Sequence, residues 1–365
     1  MKPLRIIISG GGTGGHIFPA LAIANALKEQ KNNVELLFVG AEGKMEMEKV
    51  PAAGYSIVGL PIAGIQRSLT LKNFSFPFKL LKSLKKAKQV IQQFKPDAAI
   101  GVGGYASGPL LFMAGRKNIK YYIQEQNSYP GITNKWLANK AEKIFVAYDG
   151  MDRFFPSQKI IKTGNPVRKD IRDLIDKREE ALEFFKLSNQ QPVLLVVGGS
   201  QGALSINRAV QAGLKKICDQ GVQLIWQTGK YFHPQAVAAV PKEIEQQVKV
   251  FDFVQRMDLA YAASNLVISR AGASTVSELS IVGKAAIMVP LPSAAEDHQT
   301  KNIEALITKD AALMVKDIEA KDHLIDTALK LIDDKNAIRK LENNIKSMAL
   351  PDSAETIASY ILKNI

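Results

Sequence analysis

With 365 residues, 46% of them hydrophobic, the chain can bury two separate cores rather than one. A single cysteine, Cys218, excludes an internal disulfide framework, and four histidines without HxxxH or CxxC spacing give no basis for a protein-built zinc site. The formal net charge of +13 points to an anionic partner, and no apolar stretch approaches the roughly 20 residues that span a bilayer.

Along the chain, apolar runs of strand length alternate with segments of helical spacing, the pattern of βαβ units and a parallel sheet. The first run, LRIIISG, meets SGGGTGGHIFPA, Ser9 to Ala20. Gly10 to Gly15 satisfy GxGxxG and Glu42 follows the next run, VELLFVG, so a nicotinamide-dinucleotide loop competes here with a simple tight turn. His16 stands at the mouth of that turn, where a core residue is not expected. After YSIVGLPI the composition changes. From Lys49 to Pro96 there is no acid against nine basic residues, and Ile65, Phe74, Phe76 and Phe78 interleave with Lys79, Lys82, Lys85 and Lys86. This is either a solvated basic helix face or a patch facing anionic lipid. No nucleic-acid recognition motif accompanies it, so nucleic acid is not an expected partner. DAAIGVGG leads into a second glycine cluster, GVGGYASGP, and IKYYIQE ends in Glu125, Gln126 and Asn127; the run KIFVAY follows. A break from Asp149 to Val167 carries Gly150, Pro156, Gly164 and Pro166, with Arg168 just past it.

A charged helix is expected over DIRDLIDKREEALEFF, followed by a second series of runs: PVLLVVGG, VQLIWQTG, VKVFDFV, NLVISRAG and AAIMVPLP. The loop in GGSQGALSINRAV follows a strand and opens a helix, so Ser200 and the adjoining N–H groups suit a diphosphate; no Lys follows Gly202, which removes a Walker A reading. In SRAGASTVSE, Thr275 and Glu278 fit either a capping box or contacts to phosphate and to a pair of hydroxyls. The fold class expected is α/β, two Rossmann-like doubly wound domains facing across a cleft, divided as 1–160, 161–345 and a final helix, 346–365, returning to the first domain.

In this order, GGTGGH, GGYASGP, EQN, TNKWLA, GNPVR, GGSQGA, AGASTVSE and DHQTKN closely resemble the MurG family of bacterial cell-wall glycosyltransferases. The resemblance covers nearly the whole chain. It implies a glycosyltransferase B fold and inverting, metal-independent transfer of N-acetylglucosamine from UDP-N-acetylglucosamine to undecaprenyl-diphosphoryl-N-acetylmuramoyl-pentapeptide, with no cofactor. The first domain would serve acceptor and membrane, the second the donor. Carried over by residue, Ser200 and Arg168 would bind the diphosphate and Glu278 the ribose. Val254 would read the uracil edge through its main chain, with Ala273, Thr275 and Gln299 also on the donor. Thr13, Gly14, Gly15 and Asn127 would close on the sugar. Relatives often carry His immediately before the Glu of EQN, whereas this chain has Gln124, so that side chain cannot act as a base. A neutral imidazole suits removal of the acceptor proton near pH 7, which makes His16 the first candidate base, with Glu125 and Tyr105 behind it. The expected location is the cytoplasmic face of the bacterial inner membrane, held peripherally, with cell-wall synthesis proteins as further partners. A UDP-sugar epimerase would use the same donor features without needing the basic apolar patch.

Overall fold

A computed structural model describes residues 2–62, 76–172, 174, 176–199, 201–294 and 297–365. Ile6, Ile7 and Ile8 have no exposed surface and form the centre of strand β1 (Leu4–Ser9), as β-branched residues buried on both faces should. Six strands join it: β2 (Val34–Ala41), β3 (Ile57–Leu60), β4 (Ala98–Gly101), β5 (Lys120–Glu125), β6 (Lys143–Val146) and β7 (Ile160–Lys162). They pair in parallel in the order β3-β2-β1-β4-β5-β6-β7. One face is covered by the helix Gly14–Gln30, through Ile17, Ile23 and Leu27, and by the last helix, Ser353–Asn364, through Ile357 and Ile361. The helices Phe76–Phe94 and Ser107–Arg116 cover the other, with Val90, Ile91, Leu110 and Leu111 against Ile7 and Val39. This first compact unit comprises Met1–Arg168 and Pro351–Ile365.

The second unit, Lys169–Leu350, repeats the plan. Its strands are β8 (Val193–Val197), β9 (Gln223–Gln227), β10 (Val248–Phe251), β11 (Leu266–Ser269), β12 (Ala286–Met288) and β13 (Leu313–Met314), parallel in the order β10-β9-β8-β11-β12-β13. Leu194, Val196 and the fully buried Trp226 pack with Leu214 and Ile217 of helix Leu204–Asp219 and Leu324 and Ala328 of helix Ala320–Asp333. In each sheet the order reverses beside the first strand, β1 against β4 and β8 against β11, and a crevice forms at the carboxyl ends there.

The continuous charged helix expected over 170–185 is not formed. A single 3-10 turn, Lys169–Ile171, is followed by a helix only at Arg178–Phe185. Between them Asp176 has φ +64°, a left-handed conformation that a right-handed helix cannot continue through. Cys218 is buried, and burial pushes its thiol up, away from the reactive thiolate. Among the described residues, no helix is long and apolar enough to cross a membrane.

Candidate active site

At the first switch point, three loops converge after β1, β4 and β5. His16 lies in the first turn of helix Gly14–Gln30, and its Nδ1 is 3.0 Å from the carbonyl oxygen of Gly11. A carbonyl only accepts, so in the neutral ring Nδ1 carries the hydrogen and Nε2 the lone pair. The ring lies against Gly103: a Cβ there would come within 2.5 Å of its Cδ2, and the residue has φ +96°. Gly104, at φ +87°, brings its loop so close to Gly11 that a Cβ would meet the Gly11 carbonyl oxygen at 2.3 Å. Ser107 ties the same loops together, donating to the carbonyls of Ser9 (2.9 Å) and Gly103 (2.8 Å). Tyr105, 51% exposed, extends from this junction, and Thr13, Gly14 and Gly15 form the entrance to the helix.

Beneath the glycine loop sits a group that the sequence did not single out. Glu46 is 1% exposed; its Oε2 accepts from Gly12 N (2.7 Å) and its Oε1 from Ala41 N (2.9 Å). Glu42, the acid a dinucleotide reading would need, instead pairs with Lys86 at 2.8 Å.

After β5, Glu125 is an anchor for its loop. Its Oε1 accepts from Asn127 N (3.0 Å) and Asn127 Nδ2 (3.2 Å), and its Oε2 from Gly131 N (3.2 Å) and Asn134 Nδ2 (2.7 Å). Burial lifts its carboxyl above the usual range, and these four donors oppose the lift. Gln124 is fully buried in an amide network: it donates to Asn165 Oδ1 (3.0 Å) and accepts from Gln126, whose Nε2 also reaches the Val102 carbonyl (2.7 Å). The departure from histidine therefore falls on a packed, satisfied position. Arg168 is half-buried, its guanidinium carbon 5.8 Å from the ring centroid of Phe18.

In the second unit Ser200 lies outside the described residues, but the loop around it is built by glycines. Gly199 and Gly202 both have φ +79°, and a Cβ on Gly202 would meet the Thr228 carbonyl at 2.2 Å. Gln227, 2% exposed at the end of β9, joins two expected donor segments: its Nε2 donates to Gly199 O (3.1 Å) and its Oε1 accepts from Val254 N (2.9 Å). The main-chain N–H of Val254 is thus taken. Helix Ala273–Val282 starts from an N-cap at Gly272, so Thr275 is its third residue and Thr275 with Glu278 do not form a capping box. Ser277 donates to the Ala273 carbonyl (3.0 Å), and Tyr261 donates to Glu278 Oε2 at 2.9 Å, fixing that carboxylate. Gln299 accepts from Leu291 N at 2.9 Å.

Of the basic apolar patch, Ile65 and Phe74 lie outside the described residues. On helix Phe76–Phe94, Phe76 is half-buried, Phe78 is 70% exposed, and Lys79, Lys82 and Lys85 are exposed. Lys86 differs, being paired with Glu42. Two further exposed apolar residues, Ile132 and Trp136, lie on helix Ile132–Leu137, where Trp136 stacks on Phe112 of helix Ser107–Arg116 with ring centroids 5.3 Å apart.

Two parallel-sheet α/β units in one chain, each with a glycine-rich loop at its switch point, define the architecture of the glycosyltransferase B fold. Residues 6–146 match the N-terminal domain, and residues 193–357 the C-terminal domain, of glycosyltransferase family 28. The chain is 53% identical over 365 residues to the "UDP-N-acetylglucosamine--N-acetylmuramyl-(pentapeptide) pyrophosphoryl-undecaprenol N-acetylglucosamine transferase" of Parabacteroides distasonis, covering 100% of this chain and 99% of that one. It is 55% identical over 361 residues to the protein of the same name from Phocaeicola vulgatus, covering 99% and 96%. The crystal structure of Acinetobacter baumannii MurG superposes with a TM-score of 0.77 at 27% identity, covering 99% of this chain and 100% of that one. A UDP-N-acetylglucosamine 2-epimerase, at TM-score 0.66 and 13% identity over 100% and 96%, shares the fold alone. The chain belongs to the MurG family of glycosyltransferases.

Proposed function

We propose that this enzyme transfers N-acetylglucosamine from UDP-N-acetylglucosamine to the muramoyl 4-hydroxyl of undecaprenyl-diphosphoryl-N-acetylmuramoyl-pentapeptide. The observation that carries the reading is full-length identity above 50% to relatives named for that transfer. The bond from the acceptor oxygen to the anomeric carbon forms as the bond from that carbon to UDP breaks, with inversion. The acceptor proton passes to His16 Nε2, the ring being aimed by its Nδ1–H bond to the Gly11 carbonyl. Glu125 acts by holding Asn127 and its loop, and Tyr105 lines the acceptor side. Glu278, oriented by Tyr261, holds the ribose, and Val254, Ala273, Thr275 and Gln299 frame the donor. Ser200, Arg168 and the helix opening at Leu204 meet the charge on departing UDP, so the step needs no metal ion. EDTA should leave turnover unchanged, and a loss restored by magnesium would overturn this part.

The acceptor's lipid implies a membrane surface, and the reading places this chain peripherally on the cytoplasmic face of the bacterial inner membrane. Phe78, Leu81, Ile132 and Trp136 are all more than half exposed, and Lys79, Lys82 and Lys85 accompany them. The test is UDP release from UDP-N-acetylglucosamine with and without a short-chain analogue of the lipid acceptor. Release that depends on the analogue supports the reading. Conversion of the donor to its 2-epimer, or no analogue-dependent release, contradicts it.

A further inference from the structure

The amino edge of the second sheet, opposite its glycine loops, holds a cavity of about 530 Å³. Pro192 before β8, Asn265 before β11 and Lys284 before β12 border it, with Arg178, Lys335 and Arg339 contributed by helices. Four cations, Arg178, Lys284, Lys335 and Arg339, face two carboxylates, Asp333 and Glu342. Among the described residues none of these cations forms an ion pair within 4 Å. Arg178 is held in place by the Ala263 carbonyl (2.7 Å) and Asn265 Oδ1 (3.3 Å). Lys284 uses one of its three donors, on the Ser264 carbonyl (2.7 Å). Four cations against two carboxylates leave the recess with an excess of positive charge that is costly to fold around, and a bound anion would offset that cost.

We infer that this cavity is a second ligand site, specific for a small phosphate-bearing anion that engages Lys284 and Arg178 at its floor and Arg339 at its rim. Arginine and lysine together form a donor set suited to phosphate oxygens. Burial, with Arg178 alongside and Glu342 opposing, brings Lys284 down to about 8. A bound anion stabilises the ammonium and raises that value, so binding near pH 8 takes up a proton, and affinity falls as pH rises beyond it.

Calorimetric titration of the full chain with inorganic diphosphate at pH 8, in two buffers of different ionisation enthalpy and with the donor site saturated by UDP, tests this. The expected result is one site with uptake of about half a proton. Lys284→Met should weaken binding roughly tenfold and abolish the uptake, and Arg339→Gln, on the exposed rim, should weaken it about threefold, with UDP binding unchanged in both. No binding up to millimolar diphosphate, undiminished binding in Lys284→Met, or displacement of diphosphate by UDP would overturn the inference. If Lys284→Met does not fold, undiminished binding in Arg339→Gln overturns it.

Discussion

The loop after β1 and the loop after β8 occupy the same place in the same topology, yet a buried carboxylate is seated on the amides of the first and, among the described residues, none on those of the second. In the first, Gly12 N–H is given to the buried carboxylate of Glu46 and the Gly11 carbonyl holds the His16 ring. In the second, among the described residues, no carboxylate accepts from Gly198, Gly199 or Gly202; Arg270 and Asp317 pair with one another and both bond to Ser205 in the helix that follows. A glycine loop at a switch point is suited to anions by its backbone, but a carboxylate already seated on its amide repels a second anion. The two units share an architecture, and the function proposed above divides its chemistry between them: proton transfer for the first and diphosphate binding for the second.

The sharpest break in that contrast is His16→Ala. Loss of a general base costs ~100- to 10,000-fold, so turnover should fall by that factor while the KM for UDP-N-acetylglucosamine barely moves. Near-normal steady-state turnover would remove His16 from the mechanism. Glu46→Ala should come next, because a buried N–H donor, Ala41, and a half-buried one, Gly12, lose their acceptor, at about 1–3 kcal/mol for the buried one; a lower urea midpoint and a loss of turnover are expected. An unchanged midpoint would mean that Glu46 does not hold the loop. Gly103→Ala forces a Cβ against the imidazole at a left-handed φ, and displacing a catalytic group by an ångström costs ~100-fold in rate. Neutralising Lys79, Lys82 and Lys85 removes ~1 kcal/mol each near anionic lipid, so sedimentation with anionic vesicles should drop ~100-fold in partition coefficient, whereas Lys86, already paired, should add little. Unchanged sedimentation would count against the membrane face. The smallest effect belongs to Tyr261→Phe, where losing one hydrogen bond to Glu278 should raise the donor KM by roughly two- to tenfold with kcat unaffected.

Both sheets could be read from the sequence because continuous runs such as Ile6–Ile8 and PVLLVV are local signals of strands buried on both faces. The glycine loops were legible for the same reason. What the sequence concealed were partners brought together by the fold. Glu46 reaches Gly12 across 34 positions, and Gln227 reaches Val254 across 27. Neither stands in a recognisable spacing, and Glu42, at a more suggestive distance, proved to be a surface partner of Lys86. Trp136 lay within a motif that marked the family, and only packing of helix Ser107–Arg116 against both neighbouring helices associates it with the lysine-bearing face. The helix expected over 170–185 is interrupted at Asp176, whose left-handed backbone no hydrophobic periodicity records.

The division of labour between the two loops is tested most directly by hydrogen exchange with UDP alone. Slowed exchange should concentrate on amides at 198–210 and 270–282, with 10–16 unchanged. Protection centred on 10–16, leaving the loop after β8 as labile as in the free protein, would contradict it.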